Sequence, residues 1–154
     1  MSETPPPSVH GNALVVGEAG LLIRGPSGSG KSALTLALLE AASGRGLYSA
    51  LVADDRVRLG AAHGRIVVRA VPGFEGRIER RGQGIVGVRP EPAATIALVV
   101  DLSPRESRLP RFPDRGEESV ELLGVRLPHL DLDLAWGLIS CAQATLSKLG
   151  FDSP

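Results

Sequence analysis

Apolar positions along the chain fall in short blocks set off by Gly, Pro and charged residues. ALVV (13–16) and LLIR (21–24) flank the turn-forming GEAG and predict a hairpin. The segment SALTLALLEAAS then sets Leu34, Leu38 and Ala41/Ala42 at helical spacing, and the helix is expected to end near Gly44, with Arg45 and Gly46 in a loop. ALVADD (50–55) predicts a buried strand with two carboxylates at its C-terminal end. RVRLG and RIVVRA alternate on either side of AAHG and predict a second hairpin. VPGFEGRIERRGQG is a Gly-rich charged connection in which a short helix is one option, and IVGV is a strand. TIALVVDL carries an unbroken apolar run from Ile96 to Val100 and predicts a central strand. Residues 103–119 are polar and Pro-rich and read as an exposed loop; VELLGVRL is a strand pair or a strand plus turn. DLDLAWGLISCAQATLSKLG places Leu134, Leu138, Cys141/Ala142, Thr145 and Leu149 as an amphipathic helix, with Asp131 or Asp133 as N-cap and Gly150 as C-cap.

The alternation of strands and helices predicts an α/β fold, a mixed sheet with flanking helices. The length of 154 residues suits one domain, expected over residues 9–150 behind a Pro- and Ser-rich flexible tail at 1–8. Aromatic residues make up only 3%, so the core must be Leu, Val, Ile and Ala. A formal net charge of zero gives no field to recruit nucleic acid or an acidic membrane surface, so neither is expected as a partner. Cys141 is the only cysteine, which excludes an internal disulfide and a thiolate zinc site. The opening residues MSETPPPSV lack the basic and apolar regions of a signal peptide and no run is long enough for a membrane span, so a cytoplasmic location is expected.

The chemistry centres on GPSGSGKS. Gly25, Pro26, Ser27, Gly28, Ser29, Gly30, Lys31 and Ser32 fit G-x-x-x-x-G-K-[ST], between a predicted strand and a predicted helix. Such a P-loop (Walker A) aims backbone N–H groups and a helix N-terminus at a phosphate. Lys31 would bridge β- and γ-phosphates and Ser32 would ligate magnesium. Fifteen of the basic residues are arginine and two are lysine, yet this position keeps the compact ammonium. Asp54 and Asp55 end the next predicted strand. One could assist the metal and the other could accept a proton from an attacking hydroxyl. The sole asparagine, Asn12, precedes the P-loop, so the N-K-x-D segment of guanine-specific switches is absent. The arginines of the 103–119 loop, Arg105, Arg108, Arg111 and Arg115, would suit a lid, which keeps a small-metabolite kinase in view.

IERRGQGIV (78–86) resembles the signature of the bacterial HPr kinase/phosphorylase family, in which Glu, one residue and then Arg-Gly-x-Gly-Ile recur; Glu79, Arg81, Gly82, Gly84 and Ile85 hold those places. The P-loop, LVADD, VHG (9–11) and SRLP (107–110) resemble further family segments in the same order. Nothing in this chain corresponds to the additional N-terminal domain of full-length members, so it is similar to a short, catalytic-domain form. The resemblance implies a P-loop kinase that uses ATP and Mg2+ to phosphorylate a seryl hydroxyl on HPr or an HPr-like phosphocarrier. The reverse reaction, removal of that phosphate by inorganic phosphate, belongs to the same family.

Transferred residue by residue, the resemblance gives Lys31 and the loop backbone to the β-phosphate. It gives Ser32 and Glu79 to magnesium, with Asp54 near the metal. Asp55 becomes the general base, and His10 and Arg108 become charge partners at the site. It also implies a homo-oligomer, a hexamer in the family. The family's basic glycine-containing loop before the last helix is replaced by RLPHLDLDLAWG, which favours the kinase direction over phosphorolysis. His63 and His129 are expected to be structural or solvent-facing. Two rival readings use the same residues: a P-loop kinase of a small metabolite, and a non-catalytic ATP-binding regulatory module.

Overall fold

A computed structural model describes residues 8–103 and 119–151. Residues 1–7 therefore lie outside it, as does most of the arginine-rich loop, Arg108 included. Strands β1 (Ser8–His10), β2 (Asn12–Val16) and β3 (Ala19–Arg24) lead into helix α1 (Lys31–Gly44). β4 (Ser49–Ala53), β5 (Arg56–Ala62), β6 (Arg65–Ala70), β7 (Arg77–Arg80), β8 (Gly84–Gly87) and β9 (Ala93–Leu102) follow. β10 (Ser119–Leu122), β11 (Val125–Leu132), a 3-10 turn (Leu134–Trp136) and α2 (Leu138–Lys148) complete the order.

The main sheet runs β1-β5-β6-β9-β3-β2-β4. β9 is the branch point. Its first residues pair antiparallel with β6, its last four pair in parallel with β11, and its other edge pairs in parallel with β3. The long apolar run does mark a central strand. β2 and β3 are buried on both faces because alternate residues serve two cores. Leu14, Val16, Leu21 and Ile23 meet Leu34 and Leu38 of α1 and Cys141 and Leu146 of α2. Ala13, Val15 and Leu22 meet Val57, Leu59, Ile66 and Val68 of the β5–β6 hairpin. Both described helices thus cover one face, and a folded-over hairpin covers the other. The fold is the expected α/β mixed sheet.

Two expectations are corrected. Residues 77–87 form a second, two-stranded sheet, β7 with β8, and no helix. Ile78 alone of β7 is fully buried and anchors this hairpin to α1, while Arg80 on the same side pairs with Glu40. The C-terminal helix also begins later than its apolar spacing suggests. Asp131 belongs to β11, and Asp133 caps the 3-10 turn by accepting a hydrogen bond from the Ala135 N–H at 2.9 Å. Gly137, at φ 103, then breaks the chain before α2. Gly150, at φ 93, follows the helix end in the left-handed conformation expected of a C-terminal glycine. No described helix is long and apolar enough to cross a membrane.

Candidate active site

The strand ends that matter share one edge of the sheet. β3 and β4 run towards it, and the antiparallel β2 starts from it. This juxtaposes the loop after β3, the start of β2 and the Asp54–Asp55 pair after β4. The loop and the first two residues of α1 carry the eight predicted phosphate-binding residues, Gly25 to Ser32. Gly28 and Gly30 take positive φ, 78° and 100°, as the tight curl requires. Helix α1 has no side-chain N-cap. The backbone N–H groups of Gly28, Gly30, Lys31 and Ser32 find no acceptor among the described residues. Ser29 Oγ is buried without a partner among the described residues. A buried polar group and aligned N–H donors at a helix start suit an anion. Lys31 is buried, and its Nζ lies across the loop, donating to the carbonyls of Gly25 (2.9 Å) and Pro26 (3.2 Å).

Beside the loop, the Ser32 hydroxyl donates to Asp54 Oδ1 at 2.7 Å. A hydroxyl and a carboxylate held together are the hard oxygen donors that magnesium prefers, so these residues fit a magnesium–nucleotide complex. Asp54 Oδ2 has no hydrogen bond among the described residues. Asp55 turns the other way. Its backbone is left-handed, φ 71, which an Asp tolerates better than most residues. Its carboxylate lies 3.5 Å from His10 Nδ1, with the two side chains 66% and 61% exposed, so this pair faces solvent.

The buried amide of Asn12, which the sequence reading used only to exclude a guanine switch, joins the two aspartates. Its Nδ2 donates to Asp54 Oδ1 (2.9 Å) and Thr35 Oγ1 (3.1 Å), and its Oδ1 accepts the Asp55 N–H (2.8 Å). The available signal was a lone polar residue heading the apolar run NALVV.

Glu79 is exposed on β7 and makes no hydrogen bond or ion pair with Ser32, Asp54 or Lys31 among the described residues. The neighbouring arginine that forms an ion pair, Arg80, takes Glu40 instead.

A second polar cluster also escaped the sequence reading. Arg24, Asp101 and Asp131 lie side by side across the parallel strands β3, β9 and β11. Arg24 grips Asp101 with two hydrogen bonds, 2.8 and 2.7 Å, and His129 Nε2 meets the same carboxylate at 2.7 Å. Burial pushes the Asp101 carboxyl up, but the hydrogen bonds and charges of Arg24 and His129 outweigh it and hold it below the usual range. His129 is thus nine-tenths buried and engaged, whereas His63 sits exposed in the β5–β6 turn.

Comparison with known proteins gives the chain relatives. The chain matches an HPr kinase/phosphorylase from Malacoplasma penetrans (strain HF-2) at 26% identity, covering 94% of this chain and 52% of that protein. It matches one from Limosilactobacillus reuteri (strain DSM 20016) at 32% identity, covering 86% of this chain and 42% of that protein. The chain therefore spans about half the length of the curated relatives it matches. Its fold is similar to the solved Hpr(Ser) kinase/phosphatase from Coxiella burnetii, with a TM-score of 0.72 and 24% identity over 94% of this chain and 95% of that one. The family model for the HPr serine kinase C-terminal domain matches residues 3–141, nearly the whole chain, and the chain belongs to that family.

Proposed function

We propose that the chain is an ATP-dependent kinase that phosphorylates a seryl hydroxyl of an HPr-like protein. The observation that carries this is the opposite aim of two adjacent aspartates. Asp54 faces the P-loop serine, while Asp55 faces solvent beside His10. The loop N–H groups and Lys31 would hold the ATP phosphates, and Ser32 and Asp54 would hold magnesium. Bound magnesium supplies charge neutralisation on the phosphates. Asp55 accepts the seryl proton as the seryl oxygen bonds to the γ-phosphorus and the bridging bond to ADP breaks. His10 orients Asp55. Glu79, on the neighbouring β7–β8 hairpin, is carried as a further magnesium ligand. Arg108 is carried as a charge partner.

The exposure of Asp55 favours a protein acceptor over a small metabolite. A cleft of about 410 Å³ does exist, lined by Leu36, Leu39, Glu40, Arg80, Val88 and Arg89 among others, but none of its residues belongs to the P-loop or the aspartate pair. A cytoplasmic location and a homo-oligomer complete the proposal, with phosphorolysis of the product as the less favoured direction.

Incubation with γ-labelled ATP, magnesium and a purified HPr-like protein tests it. The expected result is label on a serine of that protein. ADP release that requires a small metabolite, with the protein unlabelled, would replace the protein kinase with a metabolite kinase. Tight ATP binding with no transfer would leave a regulatory module.

A further inference from the structure

We propose that Asn12 is a positioning residue that divides the work between the tandem aspartates, an inference that rests on the kinase reading above. Asn12 is fully buried, and its amide orientation is fixed by chemistry. Thr35 Oγ1 gives its own proton to the Lys31 carbonyl at 2.8 Å, so it can only accept from Asn12. Asp54 Oδ1 accepts from Ser32 and from Asn12. Only the NH2 end can therefore face Thr35 and Asp54, and only the oxygen can face the Asp55 N–H.

The same amide thus performs two tasks. Its donor end holds Asp54 against Ser32. Its acceptor end, together with the Gly11 N–H donating to the Asp55 carbonyl at 3.0 Å, grips both sides of Asp55. This grip supports the left-handed backbone that turns the Asp55 carboxylate away from Asp54. Because Asn12 lies on β2 and Thr35 on α1, the clamp also ties the aspartate corner to the start of the P-loop helix. No smaller or purely accepting side chain could serve both ends. An aspartate would keep the Asp55 bond but set a second carboxylate against Asp54. An alanine would lose both.

Three variants separate the tasks. Each is compared with the wild type for thermal stability, for the magnesium concentration that gives half-maximal ATP binding, and for exchange of the Asp55 amide proton followed by NMR. Asn12→Asp and Asn12→Ala should both raise the required magnesium by roughly 10–100-fold, the usual effect of removing a residue that orients a metal ligand. Exchange of the Asp55 amide should rise roughly two- to tenfold in Asn12→Ala and stay near wild type in Asn12→Asp, which keeps the acceptor. Val16→Ala, in the same strand but remote from the amide, should lower stability while moving neither other readout. Wild-type magnesium dependence in Asn12→Asp, or an unchanged Asp55 exchange rate in Asn12→Ala, overturns the proposal. A shift in Val16→Ala equal to that in the Asn12 variants reduces Asn12 to a packing residue and also overturns it. If the wild type itself shows no magnesium-dependent ATP binding, the kinase reading falls. The exchange measurement still decides whether the clamp exists.

Discussion

Gly30 offers a sharp test of how the P-loop is packed. Its φ of 100° is left-handed, and a Cβ at this position would collide with Cδ1 of Leu134 in the 3-10 turn. Gly30→Ala therefore carries two costs. Left-handed backbone costs an L-residue about 1–2 kcal/mol. Pushing the half-buried Leu134 out of its rotamer adds about 0.5–1.5 kcal/mol. The sum is about 1.5–3.5 kcal/mol, or a fall in Tm of about 3–14 °C for a chain of this length. Leu134→Ala on its own should cost about 1 kcal/mol for a partly buried side chain. In the double variant the collision is gone but the backbone cost stays, so the two changes should couple by about 0.5–1.5 kcal/mol. Thermal unfolding of the wild type and the three variants, with ATP binding by calorimetry alongside, measures each term. Strict additivity would show that Leu134 does not rest on the loop. A Gly30→Ala protein as stable as wild type would refute the left-handed geometry itself.

Other expectations follow from the same packing. Gly20→Ala should cost at least about 2–3 kcal/mol, because its Cβ would run into the Thr95 carbonyl, a backbone atom of the central strand; Gly60→Ala, with open space around it, should leave Tm nearly unchanged. The Asp101 carboxyl sits below its unfolded value, so its stabilising effect is complete above about pH 4 and fades as pH falls through the lower folded value. The Tm gap between wild type and Asp101→Asn should therefore be widest at pH 5 and above and shrink in acid; a pH-independent gap would contradict the network. Burial, reinforced by the charge of Asp133, pushes the Cys141 thiol up, and the side chain is 1% exposed, so a thiol reagent at neutral pH should label it only after unfolding. Rapid labelling of the native protein would contradict the packing of α2.

The parts of this molecule that were legible in the sequence are those written in local pattern. Gly25 to Ser32 carry their conformation in their glycines, and the run Ile96–Val100 announces a central strand, buried on both faces from Leu98 to Val100. The misread parts depend on register between distant segments. Leu130, Leu132 and Leu134 satisfy a strand alternation, and Leu134 and Leu138 also satisfy a helix, so apolar spacing alone could not place the boundary at Gly137. The β7–β8 strands are short and Gly-rich, and only Ile78 is buried, which leaves little periodicity to read. Arg24, Asp101 and Asp131 become neighbours only once β3, β9 and β11 lie in parallel register. Asn12 meets Asp54 and Asp55 for a similar reason: β2 starts at the edge where β4 ends. The aspartate pair and its expected split between metal and acceptor are legible in the sequence, but the geometry that turns the two carboxylates apart is not, because it lies in a single positive φ and one buried amide.

The central claim is that Asp55 acts on the acceptor while the P-loop and Asp54 act on the nucleotide. Asp55→Asn tests it most directly, with magnesium-dependent ATP affinity and label transfer from γ-labelled ATP to the seryl acceptor measured on the same preparation. Affinity within about twofold of wild type, with transfer lowered by roughly 100-fold or more, is the predicted result. Transfer at the wild-type rate, or a loss of transfer fully explained by weaker ATP binding, would contradict it.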